Sequence, residues 1–83
     1  MKIQYFIKGG GITEDTRKFL AHNILTLRRK KNLTQEQLAF ESNTTNKCIS
    51  DLELSKRNVK LDTVTRIAHA LGVTVSYLTK DNK

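Results

Sequence analysis

The sequence predicts a small all-α domain of five helices, preceded by a candidate short N-terminal strand or arm. Three observations carry that expectation. The chain has no proline. From Leu20 to Leu78 its apolar residues recur at spacings of three and four, the period of one helix face. A threonine stands just ahead of four of the five periodic segments, at Thr13, Thr34, Thr45 and Thr74, where its hydroxyl can cap a helix N-terminus.

The elements follow in order. KIQYFIK alternates Ile3, Tyr5 and Ile7 with polar or outward residues, the period of a strand. A lone strand needs a partner, so this stretch is either an edge-seeking strand or a frayed arm. Gly9, Gly10 and Gly11 break the chain after it. The first helix is capped by Thr13 and opens with Glu14 and Asp15, charges suited to the positive end of its dipole. Leu20, Ile24 and Leu27 mark its inward face, Arg28 to Lys31 close it, and Asn32 suits the left-handed residue that ends a helix. Thr34 and Gln37 have capping-box spacing for a second helix with Leu38 and Ala39 inward. Asn43 to Thr45 form a break. A third helix is expected from about Asn46 to Leu54 with Ile49 and Leu52 inward. Lys56, Arg57 and Asn58 form a basic loop. The fourth helix runs from about Leu61 to Leu71 and is stopped by Gly72. The last carries Val75, Tyr77 and Leu78. The expected division is 1–12 arm, 13–79 folded domain and 80–83 loose tail.

Composition narrows the partners. Lys and Arg number 15 against 8 Asp and Glu, a net charge of +7 on 83 residues. That balance favours a polyanion, either nucleic acid or an acidic membrane surface. The single cysteine, Cys48, rules out an internal disulfide and a multi-thiolate metal site. His22 and His69 have no second ligand at metal spacing. No metal and no cofactor are expected. The first residues are too short and polar for a signal peptide or a membrane span, which gives a cytoplasmic expectation.

Two short helices joined by a tight turn, the second with exposed polar residues, form a helix-turn-helix pattern. LRRKKNLTQEQLA, ISDLELSKRNVKLDTVTRIAHALGV and SYL, between about Leu20 and Leu78, resemble the Xre (lambda-repressor-like) helix-turn-helix family. The resemblance covers about three quarters of the chain. It implies a five-helix domain that binds double-stranded DNA with its third helix, about 45–54, in the major groove.

Residue roles follow from the resemblance. Gln35 and Thr45 are expected on phosphates, with Lys56 and Arg57 as a phosphate clamp. Asn46 and Lys47 are expected to read base edges, with Ser50 and Asp51 facing the same way. Asparagine suits adenine and lysine suits guanine. Asp51 is repelled by phosphates; it either accepts from cytosine, orients Lys47 or discourages wrong sites, with the Lys47 role favoured. Arg28 is expected to pair with Glu53. Ser55 and Val59 replace a usual glycine and proline, which would loosen the loop. Cys48 is expected to be small packing, and Phe19 and Phe40 core-edge residues. Val75 and Tyr77, or the arm, are candidate dimer surfaces.

No nucleophile elbow, phosphate-binding loop or paired catalytic carboxylates are legible, so no enzyme is expected. Two functions remain. The first is a transcriptional regulator, repressor-like or similar to restriction-modification controllers, bound as a homodimer to a pseudo-palindromic operator. The alternative is an antitoxin that holds a protein partner through residues 1–8.

Overall fold

The computed structural model describes residues 13–56 and 58–82; the expectations for the arm at 1–12 and for Arg57 lie outside the described residues. Among those described there are five helices and no strand: α1 Glu14–Lys30, α2 Gln35–Glu41, α3 Asn46–Glu53, α4 Leu61–Leu71 and α5 Val75–Leu78. The all-α expectation therefore holds.

Each start has a cause in the sequence. The hydroxyls of Thr13, Thr34, Thr45 and Thr74 accept from the backbone N–H three residues on, at 3.0–3.1 Å. Gln37 completes the capping box by accepting from the Thr34 N–H at 2.8 Å. Helix α4 starts differently: Lys60 precedes it and offers no side-chain cap.

The first four helices end alike. Asn32, Asn43, Ser55 and Gly72 take left-handed φ values of 59°, 57°, 59° and 75°. In each case that residue's N–H and the next one turn back onto two carbonyls of the last turn. For α3 these bonds run from Ser55 to Leu52 at 3.1 Å and from Lys56 to Asp51 at 2.8 Å. Carbonyls that would be left unpaired are satisfied, and the chain reverses within two residues. Short tight connections follow, so the helices must pack on one another.

They pack around one core. Leu20 and Ile24 of α1, Leu38 of α2, Ile49 of α3, Ile67 and Leu71 of α4 and Leu78 of α5 are essentially inaccessible to solvent. Leu27, Leu61 and Val75 pack half-buried against this cluster. Helix α3 lies on α1 and α2, α4 on α2 and α5, and α5 returns to α1.

Three expectations are corrected. Phe40 is no core-edge residue: it is 86% exposed. Helix α2 has only two turns, Leu38 and Ala39 already occupy its inward face, and the next side chain along points away. Val59 does not loosen the basic loop but anchors it, buried in the core, while Asn58 accepts from Arg17 Nη1 at 2.9 Å. The residues after α5 are tied down as far as Asn82. The buried Asn23 amide lies 2.9–3.3 Å from the carbonyls of Tyr77, Leu78 and Lys80, and Asn82 donates to the Tyr77 carbonyl at 2.7 Å.

Candidate nucleic-acid interface

The α2–α3 pair is braced on its inner side by one polar cluster. Arg28, in the last turn of α1, donates from Nε to Glu53 Oε2 at 2.6 Å and from Nη2 to Oε1 at 3.1 Å. Its Nη1 donates to the Leu33 carbonyl at 2.8 Å. Gln35, opening α2, donates to the same Glu53 Oε1 at 2.9 Å. The Glu53 side chain is only 5% exposed and that of Arg28 12%. Hydrogen bonding to Glu53 raises the Arg28 pKa above its ordinary value despite the opposing effect of burial. One carboxylate thus ties the end of α1, the start of α2 and the end of α3. The Arg28–Glu53 pairing implied by the resemblance is present.

A second set of bonds fixes the turn between α2 and α3. Ser42 is buried; its hydroxyl donates to the Leu38 carbonyl at 2.7 Å and meets Thr44 Oγ1 at 2.9 Å. From α4, Arg66 Nε donates to the Ser42 carbonyl at 3.1 Å, and its Nη1 is paired with Asp62. Sequence reasoning missed both Ser42 and Arg66. The Asp62–Arg66 spacing of four was visible as a helical ion pair, but not that Arg66 also reaches the turn.

With its rear held, α3 presents one outward face. Cys48, Ile49 and Leu52 are buried, whereas Thr45, Asn46 and Lys47 are exposed and Ser50 and Asp51 half-buried. The Lys47 ammonium lies 3.5 Å from Asp51 Oδ2, one turn along. Thr45 already accepts from the Cys48 N–H at 3.0 Å as the helix cap; its O–H proton remains available to donate. Lys56 is exposed where the chain leaves α3. The arrangement therefore brings together Thr45, Asn46, Lys47, Ser50 and Asp51 on one helix, with Lys56 at its far end.

Gln35 departs from the simplest expectation. Its side chain is half-buried and one amide N–H is engaged by Glu53. A primary amide has a second donor, so bracing α3 and contacting a phosphate are compatible. Val75 and Tyr77 also differ from one another. Val75 packs against the core, while the half-exposed Tyr77 ring lies 5.7 Å from the Lys80 ammonium. Among the described residues no group of three or more His, Cys, Asp or Glu side chains is arranged to hold a metal. No described helix is long and apolar enough to cross a membrane.

Comparison with known proteins gives the same architecture. The helix-turn-helix family model matches residues 24–78. Control protein C.BamHI of Bacillus amyloliquefaciens is 40% identical over 63 residues, covering 75% of this chain and 78% of that protein. Among solved structures, a hypothetical transcription factor from Neisseria superposes with a TM-score of 0.79 at 30% identity, over 87% of this chain and 84% of that one. The restriction-modification controller protein C.AhdI of Aeromonas hydrophila gives 0.71 at 31% identity, over 75% and 94%. Family match, controller relatives and fold agree with a third helix held rigid behind and polar in front, and the chain belongs to the helix-turn-helix family of DNA-binding transcriptional regulators.

Proposed function

We propose that this protein regulates transcription in the cytoplasm as a homodimer, placing α3 of each subunit in the major groove of a short pseudo-palindromic duplex. The observation that carries the proposal is the two-sided character of α3. Its rear is locked by Glu53 to Arg28 and Gln35, and its front exposes Asn46 and Lys47. Asn46 and Lys47 read base edges, with Ser50 and Asp51 completing the face. Gln35, Thr45, Lys56 and Arg57 contact phosphates. A net charge of +7 supplies long-range attraction. One recognition helix spans only a few base pairs, so two half-sites supply the discrimination that one lacks. The chain acts by binding and carries out no catalysis. The likeness to control proteins favours this regulator over an antitoxin.

The test is fluorescence anisotropy of the protein against its own upstream DNA and a scrambled duplex, at about 50 and 200 mM salt. The expected result is preference for the upstream DNA, steep salt dependence, and a loss of about tenfold or more on Asn46→Ala or Lys47→Ala. Binding that is equal on every duplex, or unaffected by both substitutions, would refute the reading.

A further inference from the structure

The reading face of α3 is electrically balanced on a chain that is not. Helix α3 carries three charged groups: Lys47, Asp51 and Glu53. Glu53 is turned inward to Arg28 and Gln35. That leaves Lys47 and Asp51 on the outer side, one positive and one negative, within a protein of net charge +7. A lysine needed only for affinity gains nothing from a carboxylate beside it. The carboxylate weakens its attraction to every phosphate.

The geometry of the pair shows what such a partner does. The Lys47 side chain is 79% exposed and the Asp51 side chain 19%, with 3.5 Å between Nζ and Oδ2. Asp51 is set back, its side chain mostly shielded from solvent, and its backbone carbonyl accepts from the Lys56 N–H at 2.8 Å as α3 ends. The separation exceeds the roughly 2.7–2.9 Å of a charge-assisted hydrogen bond. Lys47 is therefore compensated without being immobilised, and its N–H donors remain able to meet a base edge. Once a groove closes over the pair and displaces water, the attraction strengthens and limits where the ammonium can point.

We propose that Asp51 is a specificity-determining positioning residue, which cancels the pull of Lys47 on phosphates and holds it for guanine. This rests on the functional reading above and divides its labour. The neutral face of α3 selects the site, and cations outside that face, such as Lys56, supply the salt-dependent affinity. At a wrong site an uncompensated Lys47 turns to a phosphate in place of a base; cancelling that pull weakens wrong sites more than the right one, which widens the gap between them.

The experiment is a double-mutant cycle in salt dependence. Wild type, K47M, D51N and K47M/D51N are titrated by anisotropy against three probes: a duplex that wild type recovers from a random-sequence pool, the same duplex with adenine in place of the guanine at the Lys47 position, and a scrambled duplex. In the native background, K47M is expected to leave the slope of log affinity against log salt unchanged. In the D51N background, the same substitution is expected to reduce that slope by about 0.9, the contribution of one phosphate contact. D51N is expected to bind scrambled DNA more tightly and to lose about tenfold in preference for guanine over adenine at the Lys47 position. D51E keeps the carboxylate and should restore both properties. Should D51N fail to fold, K47M in the native background and D51E carry the test.

A K47M slope change of about one in the native background would overturn the proposal, as would an unaltered guanine preference in D51N. Either result leaves the functional reading standing if wild type still prefers its recovered duplex. A wild-type protein that recovers no preferred duplex removes the functional reading and this proposal together.

Discussion

Replacing Arg28 by alanine should be among the most damaging single changes outside the apolar core. Arg28 supplies two hydrogen bonds to Glu53 and one to the Leu33 carbonyl. Without it the nearly buried Glu53 carboxylate keeps only the Gln35 amide. Removing one partner of a buried ion pair costs about 3–5 kcal/mol, mostly from the charge left behind. An 83-residue domain has a total stability of about 4–12 kcal/mol. The loss is therefore a large part of the whole. At about 4–8 °C per kcal/mol for a domain of this size, the melting temperature should fall by more than about 12 °C. Arg29 is exposed, and Arg29→Ala should change stability by less than about 0.5 kcal/mol. The assay is urea and thermal unfolding followed by far-ultraviolet circular dichroism. A third variant isolates the cause. Replacing both members, Arg28→Met with Glu53→Met, removes the orphaned charge and should recover much of the loss. Equal losses for Arg28→Ala and Arg29→Ala would refute the reasoning, and so would a double variant no better than Arg28→Ala.

Asn23→Ala leaves α5 without its side-chain bonds to α1, and should cost about 1–3 kcal/mol. Amide exchange should accelerate most in α5, and uniform acceleration across the domain would contradict a local tether. Ser55→Gly relieves a left-handed residue whose strain for a side chain is about 1–2 kcal/mol, offset in part by the greater freedom of unfolded glycine. A net gain of about 0.5–1 kcal/mol is expected in urea unfolding, and a loss would show that the serine hydroxyl has a role. For the proposed homodimer, Tyr77→Glu is the informative substitution, because Val75 packs on the core and a charge there would disturb folding. Sedimentation should report a folded monomer, while an unchanged dimer would place the interface elsewhere.

Local features were legible because their physics is local. A threonine hydroxyl reaches a backbone N–H three residues on, and so Thr13, Thr34, Thr45 and Thr74 announced four helix starts. Asn32, Asn43 and Gly72 announced ends for the same reason. Apolar spacing located α3 and separated Ile49 and Leu52 from the outward Asn46 and Lys47. The exposed Phe40 shows the limit of such reasoning, since aromatic character suggests burial but a two-turn helix has room for little beyond Leu38 and Ala39. Val59 shows the converse: a loop position that departs from its family is held by the core it reaches.

The sequence by itself determined the helices, most of their caps, the charge balance and the residue types on the outer face of α3. Tertiary structure decided which polar groups meet. The Asn23 amide finds carbonyls more than fifty residues away, Arg66 closes on the Ser42 carbonyl from another helix, and Gln35 shares Glu53 with Arg28. No periodicity encodes these bonds, because buried polar groups take whichever partner the packed helices bring within reach, and leaving one unpaired costs more than any local preference.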